Sequence, residues 1–269
     1  MILRKICTVM EMLMADRLNL TRTIYINFRC LPFKQAIRFP IYIYGKPRFD
    51  RLCGKFVFDC EIKRGLVKIN MKKIMAPCLQ TIPTQLVIGG TVIVSGEVFI
   101  GTGNKILVAD GATLRLGKCT EITDCCNVVC YNDISIGDCS YITHRCQVYD
   151  TNNHFVVNLS TNIARRYTSH VHIGSHCWIC NECTLSPGTA IPDHIIVASK
   201  SMVNKDMSQT PQYSLLAGIP AKAIANGLSH VFNQEIEAGI LQYFANHNED
   251  EYHLDDSIEH EQLSHLTRL

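Results

Sequence analysis

Through the middle of the chain, large apolar residues recur at every sixth position. Ile173, Ile179, Leu185, Ile191, Val197 and Val203 form one unbroken run. Four residues after each of the first five stand Cys177, Cys183, Thr189, Ile195 and Ser201, mostly small side chains. Upstream the same period appears in three phases: Ile88, Val94, Ile100 and Ile106; then Leu116, Ile122, Val128 and Ile134; then Ile136, Ile142 and Val148. Short insertions shift the phase between runs, and the pattern breaks between Val148 and Ile173. A period of six matches neither the 3.6 of a helix nor the 2.0 of a simple strand. It matches short parallel strands joined by tight turns, one hexapeptide per side of a coil. The sequence therefore predicts an all-β repeat protein, a parallel β-helix over 86–224 with an inserted loop at 149–172.

The flanks read differently. Residues 1–85 contain TIYINFRCLPFKQAIRFPIYIYGKPRF, whose prolines and mixed periodicity predict extended segments and short strands packing on the repeat block. The opening MILRKICTVMEMLMADR imitates a signal peptide, but Glu11 interrupts its apolar run and no small-residue cleavage site follows. It is read as a short amphipathic helix, and the protein as cytoplasmic. In the C-terminal part, 225–269, Val231, Ile236, Ile240, Leu241 and Phe244 predict a helix within 229–247, followed by an acidic tail held as helix or coil.

Charge changes the picture at the two ends. The whole chain carries 26 Lys and Arg against 24 Asp and Glu, which argues against bulk electrostatic binding to nucleic acid. Residues 1–74, however, hold sixteen basic and five acidic side chains, whereas positions from 225 onward hold nine acids and one Arg. Both ends are compatible with solvated surface; the basic end also suits a membrane surface, as a peripheral contact, or an anionic glycan.

Fourteen cysteines invite a disulfide or metal reading. Without an export signal, reduced thiols are expected. Cys177, Cys180 and Cys183 form a CxxCxxC, but no fourth thiolate follows at matching spacing. Cys126, Cys146, Cys177 and Cys183 fall on the small inward position of the repeat, where a thiol acts as a compact hydrophobe. Cys180 is out of phase, so the three sulfurs are not expected to converge, and no metal is expected.

The segment VHIGSHCWICNECTLSPGTAIPDHIIVASKSMVNKDM, followed by YSLLAGIPAKAI, resembles the hexapeptide-repeat acyltransferases. Its most specific pieces are Trp178-Ile179, Pro187-Gly188, Ser201 to Asp206 and Gly218 to Lys222. The nearest branch holds the galactoside and maltose acetyltransferases, with capsular or lipopolysaccharide O-acetyltransferases resembling the N-terminal INFRCLPFKQAIRFPI. The resemblance implies a left-handed parallel β-helix, a homotrimer, and acetyl-CoA as acyl donor, bound between adjacent subunits. It places the catalytic histidine in the loop DTNNHF, at His154, four residues after Asp150. Carried over by position, coenzyme contacts fall on Asn181, Ser199, Asn204, Lys205 and Lys222, and the acceptor sugar lies near Tyr131 and Asn132. Cys180 and Lys200 stand where the family usually has glycine, and Pro192-Asp193 replaces a common Gly-Asp.

An imidazole with a pKa near neutrality suits the removal of a sugar hydroxyl proton. His170 is the rival base, clustered in sequence with His172 and His176, while His144 is expected on the outside of a coil and His194 in a solvated turn. Asp150 is expected either to orient His154 or to cap the turn that starts the loop. The function expected is O-acetylation of a sugar hydroxyl on a capsular or lipopolysaccharide-type glycan precursor. Three alternatives stand beside it. One is acyl transfer to an amino sugar, amino acid or antibiotic, and another is a non-catalytic scaffold or glycan-binding β-helix. The third is a γ-type carbonic anhydrase, whose paired histidines five apart are matched only by His260 and His265.

Overall fold

The computed structural model describes residues 17–72, 82–255 and 257–264. The short helix expected at the extreme N-terminus lies outside them. Most strands fall into three parallel sheets. The first contains Ile41–Ile43, Val67–Ile69, Val98–Ile100, Thr120–Ile122, Tyr141–Ile142, Trp178–Ile179 and Ile196–Val197. The second contains Arg48–Leu52, Gln85–Ile88, Lys105–Val108, Asn127–Cys130, Gln147–Tyr149, Thr184–Leu185 and Met202–Val203. Lys55–Phe58, Thr91–Val94, Thr113–Leu116, Asp133–Ile136, Val171–Ile173 and Ala190–Ile191 make the third. The chain visits the three sheets in turn, so each circuit is one coil of a three-sided prism, and each strand pairs in parallel with its counterpart in the next coil.

The sixfold repeat is the inward stack of this prism. Every residue of its four runs is at most 3% exposed. The corners explain the small positions. Cys125, Arg145, Glu182 and Lys200 adopt φ of 59°, 62°, 61° and 62°. Each turns the backbone sharply just before an inward residue: Cys126, Cys146, Cys183 and Ser201, respectively. The inward residues of these four corners are small, three cysteines and a serine. The thiols there donate to carbonyls of the following coil, Cys126 to Thr143 at 3.0 Å, Cys146 to Cys180 at 3.1 Å and Cys183 to Ala198 at 3.1 Å. Cys177 does the same to Pro192 at 3.2 Å, and burial pushes its thiol up to about 12. All four are fully buried, whereas Cys180 is half-buried.

Serine already serves at equivalent corners: Ser140, one coil before Cys177, donates to the Gly174 carbonyl at 2.7 Å. Cys177→Ser and Cys183→Ser are therefore expected to cost less than about 1 kcal/mol in chemical denaturation, because the hydroxyl inherits a waiting acceptor. In the native protein, thiol reagents are expected to label these cysteines far more slowly than after unfolding. Rapid native labelling of both would contradict their placement.

Two parts differ from the sequence reading. The coils begin at Ile41, so the expected boundary at 86 falls inside the second coil. The repeat is hidden there because residues 59–66 and 70–84 interrupt the hexapeptide spacing. The segment expected to be extended is partly helical: α1 spans Leu20–Cys30 and α2 spans Phe33–Ala36. Asn19 caps α1, its side chain accepting from Arg22 N–H at 3.1 Å. Thr23, Ile26, Asn27 and Cys30 are buried under the first coil. The Asn27 side chain donates to the Ile41 carbonyl at 2.7 Å and accepts from its N–H at 3.2 Å, while Thr23 Oγ accepts from Ile43 N–H at 3.0 Å. Helix α1 thus satisfies the first strand's outer edge, which would otherwise offer unpaired backbone groups to other chains.

At the other end, Ser214–Gly218 joins the first sheet and turns back as an antiparallel hairpin with Ala221–Asn226. Helix α3, Gln234–Asn246, forms where the apolar pattern placed it, capped by Asn233, but buries none of its residues. The acidic tail then returns through α4, His260–Leu263, whose Leu263 carbonyl accepts from Phe232 N–H at 2.7 Å.

Candidate active site

Between the second and third sheets, each coil turns a corner, and these corners stack along one edge of the prism. Tyr131 and Asn132 lie on the corner of the fourth coil. The next corner carries the insertion that begins at Asp150, and Asn204 and Lys205 lie two coils beyond it. With strands ~4.8 Å apart, these positions span ~14 Å of one edge.

The insertion leaves the prism through a closed neck. Ser169 N–H donates to the Asp150 carbonyl at 2.9 Å, Thr151 bridges Thr168, and Asn152 N–H donates to the Tyr167 carbonyl at 2.9 Å. Phe155 packs edge-on against Tyr167 at 4.8 Å, and Val157–Asn158 pairs antiparallel with Ile163–Ala164 farther out. His154 lies one step beyond the neck, following Asn153, whose φ of 59° is a conformation asparagine tolerates. Its imidazole is exposed, held up by the hairpin rather than sunk in the coils.

Asp150 is fully buried at the base of this loop. One of its oxygens accepts Tyr131 N–H at 2.7 Å; the other accepts Asn132 N–H at 2.7 Å and Asp133 N–H at 2.8 Å. These bonds fix the 131–133 turn of the preceding coil rather than the turn that starts the loop. They thereby tie the base of the histidine loop to the corner of Tyr131 and Asn132. No sequence signal reveals this, because residues 131–133 and 150 become neighbours only through coil stacking.

The other histidines separate. His170 is exposed at the far end of the neck, where its carbonyl accepts Gly188 N–H at 3.1 Å. His172 faces outward from the third sheet, its Nδ1 2.8 Å from Ser135 Oγ. His144 is half-buried on the outside of a coil. His176 is stacked on His194 at 4.8 Å between ring centres, and His194 on Tyr213 at 4.6 Å, so His194 is in a packed turn rather than a solvated one. Among the described residues no group of three or more His, Cys, Asp or Glu is placed to hold a metal. His265, the second member of the paired histidines, lies outside them.

No protein-family model matches the chain. Over 140 residues, 52% of the chain, it is 33% identical to an uncharacterized 24.8 kDa protein in the cps region of Klebsiella pneumoniae. That match spans 60% of the relative, less than two thirds of its length. Among solved structures, the polySia-specific acetyltransferase NeuO superposes with a TM-score of 0.51 at 15% identity, covering 77% of this chain and 93% of NeuO. The polysialic acid O-acetyltransferase OatWY gives a TM-score of 0.45 at 20% identity, over 65% of this chain and 90% of OatWY. This is the left-handed hexapeptide β-helix.

The two positions where the resemblance leads to an expectation of glycine differ in backbone conformation. Lys200 occupies a left-handed corner, where a side chain costs roughly 1–2 kcal/mol. Cys180 has an ordinary φ and bears no such cost. Asn181 and Ser199 sit on the corner between the first and second sheets, in adjacent coils linked by Lys200 N–H to the Asn181 carbonyl at 2.9 Å. They are thus across the second sheet from the edge that carries His154, Asn204 and Lys205. Lys222 stands exposed on the terminal hairpin, paired in register with Ala217. One chain therefore does not gather all the expected coenzyme positions around His154.

A second cluster lies beneath the C-terminal segment. His230 is 8% exposed, its ring 3.6 Å from that of Phe232 and 6.0 Å from Trp178, and its Nε2 has no hydrogen-bond partner among the described residues. Burial, with smaller repulsion from His176 and His194, pulls its pKa down to about 3. The native state thus holds His230 neutral, while the unfolded chain takes up a proton near pH ~6.5. Its contribution is intact above that pH and is lost as pH falls toward 3, by at most about 1.4 kcal/mol per pH unit. His194, lowered chiefly by burial, acts in the same direction. Fluorescence of Trp178, the single tryptophan, is expected to report release of this segment on acidification from pH 7 to 4. The midpoint is expected to move to lower pH in His230→Phe; an unmoved midpoint would assign the transition to other groups.

Proposed function

We propose that this chain is an acetyl-CoA-dependent O-acetyltransferase acting on a sugar hydroxyl of a capsular or lipopolysaccharide-type glycan precursor. The observation that carries the reading is His154, exposed on a loop braced by a closed neck and set on the edge shared with Tyr131, Asn132, Asn204 and Lys205. In this reading the neutral imidazole of His154 takes the proton of the sugar hydroxyl as its oxygen attacks the thioester carbonyl. The tetrahedral oxyanion collapses, the carbon–sulfur bond breaks, and the imidazolium proton passes to the leaving sulfur. The products are the acetyl ester and free coenzyme A thiol, and His154 returns to its neutral form.

The active species in this proposal is a homotrimer. Asn181 and Ser199 lie on one edge of the second sheet and His154 on the other, so packing of copies side by side would bring the two edges together. The loop supplies surface for such packing: Phe155, Val156, Leu159 and Ile163 are 65%, 74%, 87% and 55% exposed. Burying apolar side chains of this size typically stabilises association by ~1.5–3 kcal/mol each.

The direct test is thiol release from acetyl-CoA across a panel of nucleotide sugars and lipid-linked oligosaccharides, with product esters identified by mass. No turnover with any glycan acceptor, in a protein that light scattering shows to be trimeric, would favour a scaffold instead. Lys205→Ala and Lys222→Ala are expected to raise KM for acetyl-CoA, with smaller effects on kcat. Contacts made equally in ground and transition states affect binding alone. The difference is expected to shrink at high salt, since both lysines are exposed and screened. Unchanged affinity in both variants would remove these positions from the coenzyme site.

A further inference from the structure

Helix α1 leaves an apolar stripe uncovered by the prism. Beside the buried face of Thr23, Ile26, Asn27 and Cys30 it presents Leu20, Ile24 and Phe28, 65%, 49% and 43% exposed and spaced four residues apart. The patch continues onto α2 and its flanks. Phe33 is 70% and Ile37 49% exposed, and the Phe28 ring lies 5.8 Å from Phe33 and 6.1 Å from Phe39. Exposed cations flank it: Arg17, Arg29, Lys34 and Arg38. Between positions 17 and 55 there are nine Lys and Arg and one acid, Asp50. Among the described residues none of those four cations forms an ion pair with an acid.

We propose that this α1–α2 surface, at the end of the prism, docks the protein on an anionic lipid bilayer, with Ile24, Phe28, Phe33 and Ile37 entering the interface and the flanking cations meeting lipid headgroups. An apolar stripe bordered by Lys and Arg is the signature of a segment that lies in the plane of a membrane surface. Anionic headgroups attract such borders over roughly a Debye length, ~8–10 Å. A second copy of the same surface is disfavoured as the occupant, because face-to-face packing would oppose its cations to their counterparts. The contact is peripheral: among the described residues no helix is long and apolar enough to cross a membrane. Docking stands independently of the acetyl-transfer reading, since it is measured by binding alone.

Co-sedimentation of the full chain with vesicles tests it. Binding is expected to vesicles of phosphatidylcholine containing phosphatidylglycerol, to fall at least tenfold on pure phosphatidylcholine, and to weaken in high salt. Phe33→Glu and the pair Arg29→Glu, Lys34→Glu are each expected to reduce binding at least tenfold while leaving the melting temperature nearly unchanged, since these side chains are exposed. No binding to anionic vesicles would overturn the proposal. So would binding that survives both variants, which would place the contact in another segment. Self-association abolished by Phe33→Glu without vesicle binding would also overturn it, in favour of a second copy on this face.

Discussion

Replacing His154 by alanine is expected to lower turnover by roughly 10²- to 10⁴-fold, the usual cost of removing a general base. Affinity for acetyl-CoA is expected to change less than about threefold, because no expected coenzyme position lies on the loop. The fold is expected to survive intact: the His154 side chain is exposed and the neck is closed by Asp150, Thr151, Asn152, Tyr167, Thr168 and Ser169 without it. Steady-state kinetics and a thermal melt check the three statements separately. Near-normal turnover in His154→Ala, with a large loss in His170→Ala, would move the base to the other end of the neck.

Asp150→Ala is expected to be the most destabilising single change near the site. It removes both acceptor oxygens for three backbone N–H groups in a position with no solvent access. Hydrogen bonds to a charged group contribute ~1.5–3 kcal/mol each, and stranded donors cost more than bonds lost in pairs. A loss of about 3 kcal/mol or more follows, and for a chain of this length each kcal/mol shifts the melting point by ~2–4 °C. Asp150→Asn is expected to fall between wild type and alanine, since one amide oxygen can still serve part of the 131–133 turn while its NH₂ faces a backbone donor. The pH dependence of kcat/KM separates this positioning role from an orienting one. If Asp150 fixes the turn alone, Asp150→Asn lowers the melting point and leaves the pH midpoint in place. A shifted midpoint with unchanged stability would show that the carboxylate acts through His154.

The two residues illustrate how unevenly the site was legible in the sequence. The loop that carries His154 was visible because it interrupts a strong local rhythm; the choice of His154 within it rested on the resemblance to the hexapeptide-repeat acyltransferases. Asp150 was visible as a loop residue, but its partners were not, because nothing in a linear sequence says which corner lies beneath which. His170, His172 and His176 are close in sequence yet face a loop neck, an outer sheet face and a ring stack, since strand alternation and a sharp corner send near neighbours in different directions. Conversely, His176, His194 and His230 are distant in sequence and share one environment.

Periodicity alone was enough to predict the coil architecture from Gln85 onward, the inward position of Cys126, Cys146, Cys177 and Cys183, an insertion between Val148 and Ile173 and the existence of α3. The expected loop bounds of 149–172 overlap strands Gln147–Tyr149 and Val171–Ile173. The coil features follow from a constraint repeated every coil, one large apolar residue per face, and α3 follows from its own helical spacing of apolar residues. The remaining features arise from contacts between distant segments. The first coils, at Ile41–Phe58 and Val67–Val94, are set by pairing to the coils that follow, which overrides irregular spacing. Helix α1 earns its place by supplying Thr23 and Asn27 to an open strand edge, a demand that exists only once that edge is formed. The staple at Asp150 and the neutral, buried His230 likewise arise from contacts between segments far apart in the chain. Their energies depend on desolvation and on which donors meet which acceptors across coils, and a periodic pattern carries no information about either.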